Sequence, residues 1–164
     1  MRYCDWKTAE IIQTICAMGK IPTFDDIVYG SKYLDTCCAG KVTPNNTLIM
    51  ISIDDAQLYH NKELDCWFGI CVILNLSSDQ CYKKQFVLPA FFVPNLNKSD
   101  NVESFLLSTF WHISALQQEG LTVYNGCWKC LLDSCPFFAF GTANTVTLPI
   151  LNGMVGHHSN NGCR

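Results

Sequence analysis

The chain has 164 residues, of which 49% are apolar and 15% are charged. A chain of this length and composition can bury a sizeable core, so we expect one domain with a packed interior. The formal net charge is −3, and Lys and Arg form no cluster. Because phosphate neutralisation supplies most of the affinity for nucleic acids, this charge argues against a high-affinity nucleic-acid surface on the chain itself.

Cysteine usage predicts a reduced compartment. The eleven cysteines are odd in number and scattered along the chain, unlike the even framework of a small secreted protein. No signal-peptide pattern follows Met1, and no apolar run approaches the roughly 20 residues that span a bilayer. We therefore expect an intracellular protein that does not enter a membrane.

Two helices are expected near the start of the chain. Asp5 can cap a helix over residues 6–18, which Gly19 would end. Thr23 can cap a second, weaker helix, which Gly40 would close. These two helices would precede the rest of the domain.

Three strands are expected next, over residues 47–54, 67–74 and 84–93. All three segments are rich in β-branched or aromatic residues and are bounded by turn-forming residues. Short links join them, so they should pair antiparallel. Pro89 lies within the third segment, and its missing N–H places that strand at a sheet edge or marks a bulge.

A helix and a fourth strand complete the pattern. Asp100 and Glu103 fit a capping box, and Gly120 would end the helix. The helix carries an apolar stripe at helical spacing, formed by Val102, Leu106, Phe110, Ile113 and Leu116. A fourth strand over residues 136–143 would then return parallel to the first, because a helical crossover joins parallel strands. The fold class is therefore α/β with a mixed sheet.

Polar residues follow two of these strands. Asp54 and Asp55 end the first strand, and Asn144 follows the fourth. If the two strands are parallel neighbours, their carboxyl ends meet and Asn144 faces Asp54. A buried strand that delivers a carboxylate is a common beginning of a metal-dependent phosphoryl-transfer site. The alternative interpretation is a strand that simply stops at a polar loop.

Seven short blocks resemble transposase-like proteins encoded by CACTA-type DNA elements, most closely the version found in mushroom-forming fungi. The blocks are YLD (33–35), ISIDDAQLY (51–59), ELDCW (63–67), YKK (82–84), ESFL (103–106), ALQQEGL (115–121) and LNGMVGH (151–157). The resemblance covers roughly residues 29–164. It depends on the whole string of blocks, because no single block is specific.

The resemblance implies the opening half of a ribonuclease-H-like core in a nuclear protein that acts on DNA. Such transposases hold two Mg²⁺ ions with an Asp-Asp-Glu/Asp triad and so cut and join DNA strands. The first aspartate falls on Asp54, with Asp55 as an auxiliary candidate, and the second falls on Asn144. An amide brings no charge, and the third acidic residue is expected past the end of the sequence. We therefore expect a truncated, catalytically inactive relative.

The resemblance also implies a structural zinc site near the end of the chain, to which His157 and Cys163 would contribute. A second cysteine normally follows in the family, so this site would be incomplete here. From spacing alone, Cys127 and Cys130 fit half of a zinc knuckle that His157 and Cys163 would complete. The rival hypothesis is therefore a small intracellular zinc-binding or protein-interaction module.

These expectations divide the chain into a helical segment (1–44), a truncated ribonuclease-H-like core (45–144) and the start of a zinc-binding insertion (145–164). Such a core would leave a sheet edge and an apolar helix face uncovered, which predicts self-association through the edge. DNA as a partner and Mg²⁺ as an ancestral cofactor follow from the resemblance alone. Zn²⁺ is the cofactor of the rival hypothesis.

Overall fold

The computed structural model describes residues 3–21, 23–57, 65–95, 102–126 and 128–144. The helices in these ranges are α1 (Tyr3–Met18), α2 (Ser31–Cys38) and α3 (Val102–Glu119), and a 3₁₀ turn (Ile27–Tyr29) precedes α2. The strands are β1 (Asn46–Gln57), β2 (Asp65–Ile73), β3 (Val87–Asn95), β4 (Leu121–Asn125) and β5 (Cys130–Ala143).

The strands form one mixed sheet in the order β3-β2-β1-β5-β4. β1 pairs antiparallel with β2, and β2 pairs antiparallel with β3, as short connections require. In chain order, α3 follows β3 and precedes β4 and β5. β5 runs parallel to β1. The α/β class and the mixed sheet with its parallel strand beside the first are therefore confirmed.

Two strand boundaries differ from the prediction. β1 does not end at Asp54, because β2 pairs with it as far as Gln57, which lies opposite Asp65. β5 begins at Cys130, well before the predicted start, because its first part forms an antiparallel hairpin with β4. The prediction lacked β4 altogether, since a five-residue strand gains its stability from the partner strand rather than from its own sequence.

The predicted helix ends agree with the structure better than the predicted helix starts. Gly19, Gly40 and Gly120 each have a positive φ, between 68° and 77°, and follow α1, α2 and α3 as predicted. α1 begins at Tyr3, so Asp5 lies in its first turn instead of capping it, where a carboxylate still favours the helix dipole. Thr23 lies outside any helix. No helix within the described ranges is long and apolar enough to cross a membrane.

Helices cover both faces of the sheet. On one face, α1, the 3₁₀ turn and α2 pack against β1 and β2 in a cluster that includes Cys4, Ile11, Val28, Leu34, Leu48, Met50, Val72 and Leu74. On the other face, α3 packs through Leu106, Phe110 and Ile113 against a cluster that includes Ile51, Ile53, Trp67 and Val93. The first helical segment thus shares one core cluster with the sheet. The predicted apolar stripe of α3 packs into the second cluster, on the opposite face.

β3 lies at one edge of the sheet. Its pairing with β2 shifts where Gly69 lies opposite Phe91 and Ile70 lies opposite Pro89, which leaves Ala90 as an extra residue. Proline has no N–H to give to a sheet, so an edge or a bulge is where it is tolerated. Both interpretations of Pro89 are confirmed.

Candidate functional site

The candidate site lies where the parallel pair β1 and β5 ends. Ile53 of β1 is level with Ala143 of β5, and Asp54 and Asn144 are the next residues along each strand. The Nδ2 atom of Asn144 donates a hydrogen bond of 2.5 Å to Oδ1 of Asp54. The structure therefore brings together the two residues that the sequence predicted to meet.

One extra residue in β5 is responsible for this alignment. Phe138 is level with Ile49 and Phe140 with Met50, so Ala139 is a bulge in the pairing of β5 with β1. Because the side chains of a strand alternate between two faces, a shift of one residue moves every later side chain to the other face. If Ala139 were paired with Met50 in a regular ladder instead of bulging, Asp54 would be level with Ala143, and the side chain of Asn144 would lie on the opposite face of the sheet.

Asp54 lies just beyond the part of the sheet that the first helices cover. Its position in the strand places it on the same face of the sheet as Leu48 and Met50, which are buried under α1 and α2. Asp54 itself is half-buried and Asn144 is exposed. Ser52 and Thr142 are level with each other one step back along the same face. A small group of oxygen-bearing side chains thus borders the helical layer.

Of the other predicted site residues, Asp55 follows Asp54 directly, Cys130 lies apart from the pair, and three lie outside the described residues. Asp55 occupies the next position of β1, opposite Trp67. Cys130 is exposed and begins β5, whereas Asn144 follows the other end of that 14-residue strand. Cys127, His157 and Cys163 lie outside the described residues. The zinc hypothesis, which needs all four of the Cys and His ligands, stays a prediction.

The site as it stands offers one carboxylate and one amide. Mg²⁺ binds through carboxylates and keeps several waters, so Asp54 would be its one charged ligand here, with the Asn144 carbonyl oxygen as a neutral one. Across the part of the chain that is described, no three His, Cys, Asp or Glu residues are grouped closely enough to hold a metal ion. The described pair therefore offers a cation one charged and one neutral oxygen ligand.

Sequence reasoning missed the aromatic neighbours of Asp54. Phe68 of β2 is level with Asp54, and Phe92 of β3 is level with Phe68. Their alternation with buried Trp67 and Val93 is visible in the sequence, but the register that aligns them with Asp54 follows from strand pairing alone.

A comparison with protein-family models, with curated proteins and with solved structures finds no match for this chain.

Proposed function

We propose that the chain is a transposase-related, ribonuclease-H-like domain whose Mg²⁺ site is inactive, so that it no longer cleaves DNA. The order of three antiparallel strands, a helix and a strand returning parallel to the first supports this proposal. β4, which pairs with the first residues of β5, is an addition to that order, and it lies at the edge of the sheet away from β2 and β3. It leaves the β1–β5 pair, where the site lies, undisturbed.

The hydrogen bond from Asn144 to Asp54 is the observation that carries the proposal. Two carboxylates at this separation would repel each other unless they shared cations or a proton. An amide N–H satisfies a carboxylate with no cation present. Asn144 therefore substitutes for the metal as the partner of Asp54, and the pair is stable when Mg²⁺ is absent.

The substitution Asn144→Asp tests this explanation. We expect the variant to lose about 1–2 kcal/mol of unfolding free energy at pH 7, because like charges face each other. Mg²⁺ or Mn²⁺ should restore that stability and should bind measurably in calorimetry. The original chain should show neither effect.

The exchanged pair Asp54→Asn with Asn144→Asp is the matched control. It keeps one amide and one carboxylate in contact, so it should be as stable as the original chain and indifferent to Mg²⁺. If Asn144→Asp alone gains no affinity for either metal, the site is not a remnant of a two-carboxylate centre. Cleavage of DNA by the unmodified chain with Mg²⁺, lost in Asp54→Ala, would disprove the proposed inactivity.

A further inference from the structure

Four side chains follow one line across neighbouring strands of the sheet. Phe92 of β3 is level with Phe68 of β2, and Phe68 is level with Asp54 of β1. Asn144, which follows β5, is hydrogen-bonded to Asp54. We call these four residues the aromatic row. With strands roughly 4.8 Å apart, the row is about 14 Å long.

Within the described ranges, α1 and α2 leave the aromatic row uncovered on the face where they pack. Met50 and Ile70, on the same face, belong to the cluster under those helices, whereas Phe92 is 58% exposed. Phe68 and Asp54 are half-buried. An exposed ring on β3, a half-buried ring on β2 and a carboxylate on β1 thus follow one another on this face, and such a surface at the border of a covered region is suited to bind a flat ligand.

The chemistry of the row selects the kind of ligand. Phenyl rings bind flat rings by stacking, and a carboxylate accepts hydrogen bonds from N–H or O–H groups. The row contains no cation, so it does not attract a phosphate. Ile70 and Pro89 are level with each other one step from the two rings, so a sugar stacked on the rings would meet apolar side chains on that side and polar ones only toward Asp54. A nucleobase, which is flat, uncharged and edged with N–H donors, fits best.

We propose that the aromatic row binds an unpaired base of single-stranded DNA. The base stacks on Phe92 and Phe68, and its exocyclic amino group donates to Asp54. The choice of DNA as the source of the base rests on the proposed function. Because the contacts are to the base and not to phosphates, binding should be weak and should change little with salt concentration, unlike that of a phosphate-binding surface.

Fluorescence anisotropy with labelled dodecamers of dC and of dT tests the inference. The dC dodecamer should bind, and the dT dodecamer should bind more weakly because thymine has no exocyclic amino group. Phe92→Ala should weaken binding of dC by about fivefold or more, the usual effect of removing one stacked ring. A duplex of the same length should not compete, because its bases are already stacked and paired.

Leu88→Ala is the matched control. Leu88 is on the same edge strand and is 50% exposed, but it lies opposite Cys71, which packs in the cluster under α3. Its removal should leave the affinity unchanged. Equal losses in both variants, equal binding of dC and dT, or a steep fall of affinity with salt would each overturn the inference.

Two further outcomes separate this inference from the proposed function. If a neutral oligosaccharide such as cellohexaose binds in a Phe92-dependent manner and the dC dodecamer does not, the row is a sugar site and the inference fails. The metal response of Asn144→Asp does not depend on Phe92. Failure of base binding together with the expected metal response would therefore refute the aromatic row alone, and the opposite pair of results would refute the inactive metal site alone.

Discussion

Among the described glycines, Gly69 is the one at which an added Cβ atom would meet the closest contact. It is buried in β2 opposite Phe91, and a Cβ atom built on it would overlap the ring of Phe91. The ring itself packs in the cluster under α3. The absence of a side chain at position 69 thus lets the edge strand place an aromatic ring in the core.

Gly69→Ala should therefore lower the unfolding free energy by about 1–3 kcal/mol, because the ring of Phe91 must leave its position in a packed core. Chemical denaturation followed by tryptophan fluorescence would measure the change. Gly126→Ala is the control, since a Cβ atom there would meet nothing within 4 Å. An equal effect of the two substitutions would show that the ring does not lie over Gly69.

Ala139 and Asn144 show how a site can depend on single residues for different reasons. Ala139 adds one residue to β5 and so sets the phase of everything after it. Asn144 determines the contact made at that position, because its amide donates a hydrogen bond to the carboxylate of Asp54. The first residue provides the geometry, and the second determines the chemistry.

At the scale of elements, α1 is part of the core of the sheet. It buries Cys4 and Ile11, and both belong to the same cluster as Leu48 and Met50 of β1. Its thiol at Cys4 donates a hydrogen bond to the carbonyl oxygen of Leu74, at the end of β2. The opposite side of α1 is exposed, as expected of an amphipathic helix.

Adjacent isoleucines in α1 allow a direct test of this packing. Ile11 is 3% exposed and Ile12 is 40% exposed. Ile11→Ala should cost about 2–5 kcal/mol of unfolding free energy, because it leaves a cavity against the sheet, and Ile12→Ala should cost much less. A single unfolding transition in both variants is expected. A small cost for Ile11→Ala, or a separate transition for the helices, would mean that α1 is not integral to the core.

The turn of the β4–β5 hairpin is largely exposed, in contrast to the buried side of α1. Tyr124, Trp128 and Leu131 lie in or beside this turn and are each more than 60% exposed. Lys129 in the turn has a positive φ of 50°, a conformation that non-glycine residues adopt infrequently. β4 and the turn therefore contribute little to the core, in contrast to the later part of β5, and the main structural effect of β4 is to cover the β5 edge of the sheet. The predicted self-association through a sheet edge stays a prediction.

For the whole molecule, buried thiols contribute to the response to alkaline pH, together with the partly buried hydroxyls of Tyr3 and Tyr33, whose pKa values burial also raises. Burial, together with the charges of Asp26 and Asp5, raises the pKa of Cys4 from its ordinary value of 9.0 to about 12. Burial also raises the pKa values of Cys71 and Cys81. Above pH 9 the unfolded chain releases these protons while the folded chain retains them, so stability must fall.

We therefore expect a melting temperature that is nearly constant up to about pH 8.5 and falls as pH rises from about 9 towards 12. Each retained proton contributes a slope of about 1.4 kcal/mol per pH unit. Cys4→Ala, measured in reductant, should have a shallower slope even though it starts less stable. Cys16→Ala, an exposed cysteine in the same helix, should retain the original slope. Parallel slopes in all three proteins would contradict this origin of the alkaline instability.

The sequence by itself determined the features that depend on neighbouring residues. Glycines marked the ends of α1, α2 and α3, the apolar stripe marked the inner side of α3, and Pro89 marked an edge strand with a bulge. The order of elements then placed β5 parallel to β1 and brought Asn144 to Asp54. Each of these follows from local backbone freedom, from helical periodicity or from the rules of strand connection.

Only the tertiary structure decided where β1 ends, that β4 exists and which residues are level with Asp54. Because β1 pairs with β2, it continues past Asp54 and Asp55 as far as Gln57. The bulge at Ala139 places Asn144 level with Asp54. Phe68 and Phe92 then complete the row from two other strands. Register is set by hydrogen bonds between distant segments and by single inserted residues. Local sequence patterns therefore located the candidate pair, and only strand pairing revealed the surface around it.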